Sequence, residues 1–288
     1  MQVDVCPGYG ARIGSLIDLR TGREWISGGQ RSPETGAGAA YLADEARGWD
    51  ECFPTVEPWD ATGTGWARPL RDHGELWGRP WTVLDHDRGS LSVRFETEQF
   101  AFVRRLHLVG QRLACHYEAR NKSPLALPFV WAQHALLAVT PSDRIVLPEV
   151  GTLASPYISK QEVELRPGNV PWPGSSQEVG LALDRVQPAS AGFAGKFFAA
   201  ARGIAAIGDQ KGSLQFTWDK NVLPFLGVWL NYGGWPQPGD IHHVALEPTT
   251  SPTDSLGDAL AAGTSRQLRP GQSESWTVEL RLRPTIDG

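Results

Sequence analysis

Three residues of this chain have the types and settings needed for proton transfer near neutral pH. His134 lies in Phe129-Val130-Trp131-Ala132-Gln133-His134-Ala135-Leu136-Leu137, a run that is otherwise almost wholly apolar. If the run is a strand, His134 shares a face with Val130, Ala132 and Leu136. A buried imidazole there needs a partner to offset its desolvation. Glu247 ends the apolar run His243-Val244-Ala245-Leu246 and precedes Pro248. A carboxylate at a strand end that faces a cleft is partly desolvated, which raises its pKa toward the range of a general base. His73 lies in Leu70-Arg71-Asp72-His73-Gly74-Glu75, where the following glycine leaves the imidazole accessible. Each residue has an ordinary structural alternative: a core histidine bonded to a carbonyl, a solvated carboxylate at a strand terminus, a loop filler. As a set, two imidazoles and a carboxylate can run coupled proton transfer. They could also bind a metal as a two-His, one-carboxylate set, but against this the three residues lie on distant segments with no short ligand spacing such as His-x-His. The adjacent His242 and His243 would point to opposite faces of a strand and make a poor chelate.

The elements that must position these residues read as strands. Leu113, Cys115, Tyr117 and Ala119 alternate with polar residues over Arg112–Arg120. Leu91–Glu98, Leu214–Trp218 and the run through Trp276, Val278, Leu280 and Leu282 do the same. Short turns such as Asn121-Lys122-Ser123-Pro124 and Arg269-Pro270-Gly271-Gln272 separate such runs, which predicts a mainly β chain, a large antiparallel β-sandwich. A short helix is expected over Asp254–Ala262. Two proline-rich stretches, Gly48–Trp81 and Gly151–Gly174, resist a strand reading and are the expected cleft walls. Twelve tryptophans are unusual, and Trp49, Trp59, Trp66, Trp77 and Trp81 crowd into the first of these stretches. The indole face suits the C–H face of a pyranose.

Composition bounds the rest. The 288 residues suffice for one domain, 1–288, with a sizeable core. A net charge of −5 lacks the basic surface that nucleic acid requires. No apolar run approaches the ~20 residues of a membrane helix, and no signal peptide is visible, so a cytoplasmic location is expected. Cys6, Cys52 and Cys115 are odd in number and lack metal spacing, so they read as free thiols. There is no phosphate loop, nucleophile elbow or dinucleotide fingerprint.

Taken in chain order, these residues resemble the galactose mutarotase-like (aldose 1-epimerase) superfamily, including its hexose-6-phosphate 1-epimerase branch. The likeness runs over nearly the whole chain. Gly10-Ala11-Arg12-Ile13-Gly14-Ser15-Leu16 with Gly22-Arg23-Glu24-Trp25-Ile26 is similar to the opening hairpin. Gly48-Trp49-Asp50-Glu51-Cys52-Phe53-Pro54, Asp72-His73-Gly74 through Pro80-Trp81, Gln133-His134, Leu246-Glu247-Pro248 and Leu268–Trp276 follow in family order. The resemblance implies a large sandwich with a concave sugar-binding face and an isomerase that interconverts α and β anomers. It implies Glu247 as the base on the anomeric hydroxyl, His134 as the acid on the ring oxygen, and His73 as a contact to the ring oxygen or a neighbouring hydroxyl. No cofactor or metal is then needed. The partner would be a monosaccharide or a sugar phosphate, and the protein a monomer or homodimer.

The substrate contacts expected around this trio are Arg47, Trp49, Asp50, Glu51, Trp77, Arg79 and Gln133. The chain departs from the galactose pattern at Gly168-Asn169-Val170-Pro171-Trp172-Pro173, where no sugar-binding aspartate stands. Arg47 and Arg79 sit where phosphosugar relatives carry phosphate-binding arginines, and a guanidinium pair suits a phosphate. Asp50 and Glu51 would repel one. Three alternatives therefore stand beside a free-sugar mutarotase: a hexose-6-phosphate 1-epimerase, a non-catalytic carbohydrate-binding protein, and a metal-dependent isomerase using the same trio.

Overall fold

The structure, a computed structural model, describes residues 1–28, 40–41, 45–160, 168–176, 180–236, 239 and 241–286. Two large antiparallel sheets dominate it. The ten-stranded sheet runs, in spatial order, Gln2–Cys6, Arg12–Asp18, Trp49–Cys52, Ala132–Ala138, His242–Thr249, Phe225–Tyr232, Phe193–Ala200, Thr152–Lys160 and Gly168–Pro171, with Arg23–Glu24 beside the second strand. The eight-stranded sheet runs Arg144–Val146, Ile204–Asp209, Gly212–Trp218, Ser273–Arg283, Arg112–Asn121, Phe100–Val109, Ser90–Glu96 and Thr82–His86. The sandwich expected from the alternation is observed. So is the helix, over Leu256–Ala261, where the Ser255 hydroxyl accepts from the Asp258 N–H as N-cap.

One expectation needs correcting. Gly151–Gly174 is not all loop: it contains the strands Thr152–Lys160 and Gly168–Pro171. Pro156 fits because the pairing with Phe193–Ala200 shifts register between Ala154 and Tyr157, and Pro171 fits because its strand lies at the sheet edge. Gly48–Trp81 is largely irregular, as expected, apart from the strand Trp49–Cys52.

Between the sheets lies one apolar core to which Trp49, Ala135, Leu246, Val228 and Phe197 contribute from one side and Phe102, Tyr117, Val278 and Phe216 from the other. A polar bridge crosses it. Arg104, on the eight-stranded sheet, pairs with Glu51 of the ten-stranded sheet at 3.1 Å, both side chains fully buried. The Tyr117 hydroxyl and the Trp49 indole N–H each donate to Glu51 at 3.0 Å, and Gln133 donates to the Tyr117 hydroxyl at 2.9 Å. Burial pushes the Glu51 carboxyl up to about 7, against the pull of Arg104 and these donors. Trp49, Glu51 and Gln133 therefore do not face a cleft, contrary to their expected role as sugar contacts. No helix of the described residues is long and apolar enough to cross a membrane. The three cysteines are free thiols.

Candidate active site

The outer face of the ten-stranded sheet carries the candidate residues His134 and Glu247. Strand alternation sends Gln133 into the core and His134 out. Pairing of Trp49–Cys52 with Ala132–Ala138 sets His134 opposite Asp50. On the other side, Ala132 faces Thr249 and Leu136 faces Ala245, a register that brings Glu247 opposite His134. Two of the three expected residues are thus cross-strand neighbours, although 113 positions separate them in the chain.

His73 arrives from the irregular segment. Its backbone is left-handed, with φ +58°, which is uncommon for a residue with a side chain. Its N–H donates to the Val56 carbonyl at 2.6 Å, and the N–H groups of Val56 and Glu57 each donate to the Asp254 carbonyl at 3.0 Å. These bonds tie the His73 loop to the segment that follows the Glu247 strand. Gly74 also has positive φ, and a Cβ there would collide with the Phe53 backbone. The glycine is needed for this close approach.

His73, His134 and Glu247 line one cavity of about 310 Å³, in the size range of small-molecule sites. Tyr41, Tyr157, Trp229 and Trp235 supply aromatic wall, and Glu57, Asp72 and Asp254 supply carboxylates. Both expected cleft walls contribute, through His73 and Tyr157. The two imidazoles meet edge to face with ring centres 4.8 Å apart, and Tyr41 stacks flat on His73 at 3.6 Å. Burial, followed by the positive fields of His73, Lys196, His243 and Arg12, pushes His134 well below the usual histidine range. Its Nδ1 is buried and has no hydrogen-bond partner among the described residues. His243 lies behind, accepting from the Trp229 indole N–H at 3.0 Å, and burial lowers it to about 3.

Lys196 is the residue that sequence reasoning missed. Its ammonium donates to Glu247 Oε2 and lies 3.3 Å from Asp254 Oδ1. It sits on Phe193–Ala200, two strands away from Glu247, with Phe225–Tyr232 between. Gly227, directly opposite Glu247, opens the path: a Cβ there would stand 3.0 Å from Glu247 Oε2 and 3.5 Å from Lys196 Cε. A signal existed in Phe193-Ala194-Gly195-Lys196-Phe197-Phe198, where Lys196 is a lone charge in an apolar run, as His134 is in its own. Lys196 occupies Oε2 and leaves Oε1 buried and without a partner among the described residues. Burial raises the Glu247 carboxyl and Lys196 opposes the rise. In Lys196→Met this opposition is lost, so the acid limb of any activity that needs ionised Glu247 is expected to move to higher pH, by about one unit or more. A pH–rate profile checks this shift.

The other expected contacts lie elsewhere. Asp50 is on the outer face but is held by Arg12 through bonds of 2.6 to 3.1 Å, and Arg12 also reaches Glu45. Arg79 pairs with Glu75 at 2.8 Å, and Glu75 also holds Arg68. Arg47 packs its stem against Gly28 and Trp77 is buried, its indole donating to the Asp72 carbonyl at 2.8 Å. None of the four lines the cavity. The resemblance to a phosphate-binding arginine pair is not realised there.

Cys52 offers a third donor beside the imidazoles: its sulfur and their nitrogens all lie within 4.8 Å of one another. Closing this set on a divalent ion requires the thiolate. Burial, reinforced by Glu247, raises the Cys52 thiol well above its usual value.

No family model matches the chain, and no curated relative matches it. Solved structures do. A galactose mutarotase related enzyme from Lactobacillus acidophilus superposes with a TM-score of 0.66 at 17% identity, over 99% of this chain and 95% of the other. A galactose mutarotase-like protein from Clostridium acetobutylicum gives 0.67 at 17% identity, over 98% and 92%. An aldose epimerase homologue from C. elegans gives 0.63 at 11% identity, over 99% and 96%. The galactose mutarotase-like fold is thereby shown for essentially the whole chain.

Proposed function

We propose that this protein is an aldose 1-epimerase that interconverts the anomers of a neutral sugar, acting as one domain. The observation that carries the reading is the convergence of His73, His134 and Glu247 on one cavity, with Glu247 Oε1 buried and unpartnered among the described residues. Glu247 takes the proton of the anomeric hydroxyl while an imidazole gives a proton to the ring oxygen. The ring carbon–oxygen bond breaks and the aldehyde forms. Rotation about the first carbon–carbon bond and re-closure then give the other anomer. Trp229, Trp235 and Tyr157 offer flat faces for the sugar ring, and the carboxylates of Glu57 and Asp254 accept from its hydroxyls.

The charge of the wall supports a neutral substrate over a phosphosugar. Glu57, Asp72, Glu247 and Asp254 line the cavity, and among the described residues the one Lys or Arg lining it is Lys196, already paired with two of them. A phosphate would meet net negative charge. Anomer-exchange NMR on free hexoses, pentoses and their phosphates is the test. A free aldose should exchange faster than the buffer rate, with kcat/KM about tenfold or more above that of its 6-phosphate. A better rate with the phosphate overturns the neutral-substrate reading. Saturable binding with no exchange of any sugar would make the protein a carbohydrate-binding module instead.

A further inference from the structure

A thiol and two imidazoles meet beside the cavity, brought there by three separate segments. Side chains two apart in a strand share a face, so Cys52 points to the same side of the ten-stranded sheet as Asp50. Asp50 stands opposite His134 and Cys52 opposite Ala132, which makes Cys52 and His134 diagonal neighbours across the strand pair. His73 reaches them from the irregular segment, held by the bond from its N–H to the Val56 carbonyl. The Cys52 sulfur and one nitrogen of each ring lie within 4.8 Å of one another. We propose that Cys52, His73 and His134 form a zinc site, and that a Zn²⁺ ion held there stops anomer exchange by occupying both imidazoles. The inhibition, but not the binding, rests on the epimerase reading.

The donor set has the chemistry and very nearly the spacing that zinc requires. Thiolate and imidazole are the ligands it shares with few other biological ions. Bonds of about 2.0–2.3 Å in a tetrahedron set the donors roughly 3.3–3.6 Å apart, so these three must draw together by no more than about 1.5 Å. The supporting groups are in place. Asp72 Oδ1 lies 2.8 Å from His73 Nδ1, so the carboxylate accepts the Nδ1–H and leaves Nε2 to bind the metal, the usual outer partner of a zinc-bound imidazole. His134 is buried, and its Nδ1 has no partner among the described residues, so no hydrogen bond at that atom has to be broken. The cavity lined by both imidazoles gives the ion its path in, and the fourth position of a tetrahedral ion is left for water. The carboxylates of Glu57, Asp72, Glu247 and Asp254, which disfavour a phosphate, attract a cation.

The cost of binding lies in the thiol. Burial and then Glu247 hold the proton on Cys52, with Asp50 and Asp254 acting in the same sense and Lys196 opposing them. As the zinc–sulfur bond forms, that proton passes to solvent. Metal and sugar then compete for the same two rings, since an imidazole nitrogen bound to zinc can neither donate to nor accept from a sugar oxygen.

The test strips the full chain with a chelator and titrates it with Co²⁺ and then Zn²⁺. One equivalent of Co²⁺ should give the near-ultraviolet charge-transfer band of a cobalt–thiolate bond with the intense visible bands of a tetrahedral ion, and Zn²⁺ should abolish both. Cys52→Ser, a change of one atom, should lose the charge-transfer band and weaken zinc by about 100-fold or more, whereas Cys6→Ser should keep the band. Asp72→Asn should weaken zinc by about 10- to 100-fold. His134→Gln gives a second ligand variant should Cys52→Ser fail to fold, and it should lose the tetrahedral spectrum. One equivalent of Zn²⁺ should slow exchange of a free aldose by about 100-fold, and EDTA should restore it. A cobalt spectrum without the charge-transfer band, or a band that survives Cys52→Ser, overturns the site. Exchange that runs at full rate with zinc bound overturns the inhibition. If no sugar exchanges at all, the epimerase reading falls, and the cobalt spectrum still decides the metal site.

Discussion

Replacing Glu247 with glutamine is expected to slow anomer exchange by about 10²- to 10⁴-fold, the range that a positioned general base contributes. The change is small in volume and keeps an oxygen that can accept from Lys196, so the strand and the cavity should keep their shape. What is lost is the ability of Oε1 to take a proton. Lys196 retains Asp254, 3.3 Å away, as a counter-charge, which limits the penalty of an unpaired buried ammonium. Binding should change less than turnover, so the loss should fall on kcat more than on KM. Exchange NMR at saturating sugar, with thermal melting as a control for folding, checks this result. The wild-type profile should also show an acid limb. Burial raises the Glu247 carboxyl, so its active, ionised form is lost as the pH falls through that raised value. A glutamine variant with undiminished exchange would remove Glu247 from the mechanism.

The second large effect is on stability. Replacing Arg104 with methionine leaves the Glu51 carboxyl buried between the sheets without its counter-charge. Breaking such a pair typically costs about 3–5 kcal/mol. In a chain of this size that corresponds to a fall in Tm of roughly 6–20 °C. The double variant Arg104→Met with Glu51→Gln should recover much of the loss, because no unpaired charge then remains in the core. Melting curves of the single and double variants decide the matter. The same proteins test the placement of Glu51: below its melting transition, Arg104→Met should bind sugar with an unchanged KM, because neither Arg104 nor Glu51 lines the cavity. A large KM effect would put Glu51 back among the sugar contacts.

Much of the fold was legible because its signal is local. Side chains of a strand point to opposite faces at every step, so alternation through Leu113, Cys115, Tyr117 and Ala119 marks both a strand and its buried side. Ser255 and the apolar pair Leu256 and Ala259 mark the helix in the same way. Gly151–Gly174 was misread because its prolines break the local rule, and they are tolerated at a register shift and at an edge, which only the pairing of strands reveals.

The candidate site was legible in its titratable residues and illegible in its surroundings. His134 stood out as a polar residue in an apolar run, and Glu247 as a carboxylate at the end of one. Their neighbours did not. Asp50 and Glu51 are adjacent in the chain and both acidic, and the whole strand Trp49–Cys52 is buried, so nothing local says which of them faces the cavity side. Lys196 carried the same mark as His134, a lone charge among apolar residues, but its meaning depends on a glycine in a different strand.

The sequence by itself thus determined the sandwich, the faces of most strands and the set His73, His134 and Glu247, because alternation and side-chain chemistry act within a few residues. Only the tertiary structure decided how these groups are tuned. It pointed Glu51 into the core toward Arg104, engaged Asp50 with Arg12, carried Lys196 across Gly227 to Glu247, and placed Asp72 against one imidazole and not the other. Ionisation depends on charges a few ångströms away in space, and in a sheet those charges come from strands distant in the chain, as with Lys196 and Glu247, 51 positions apart.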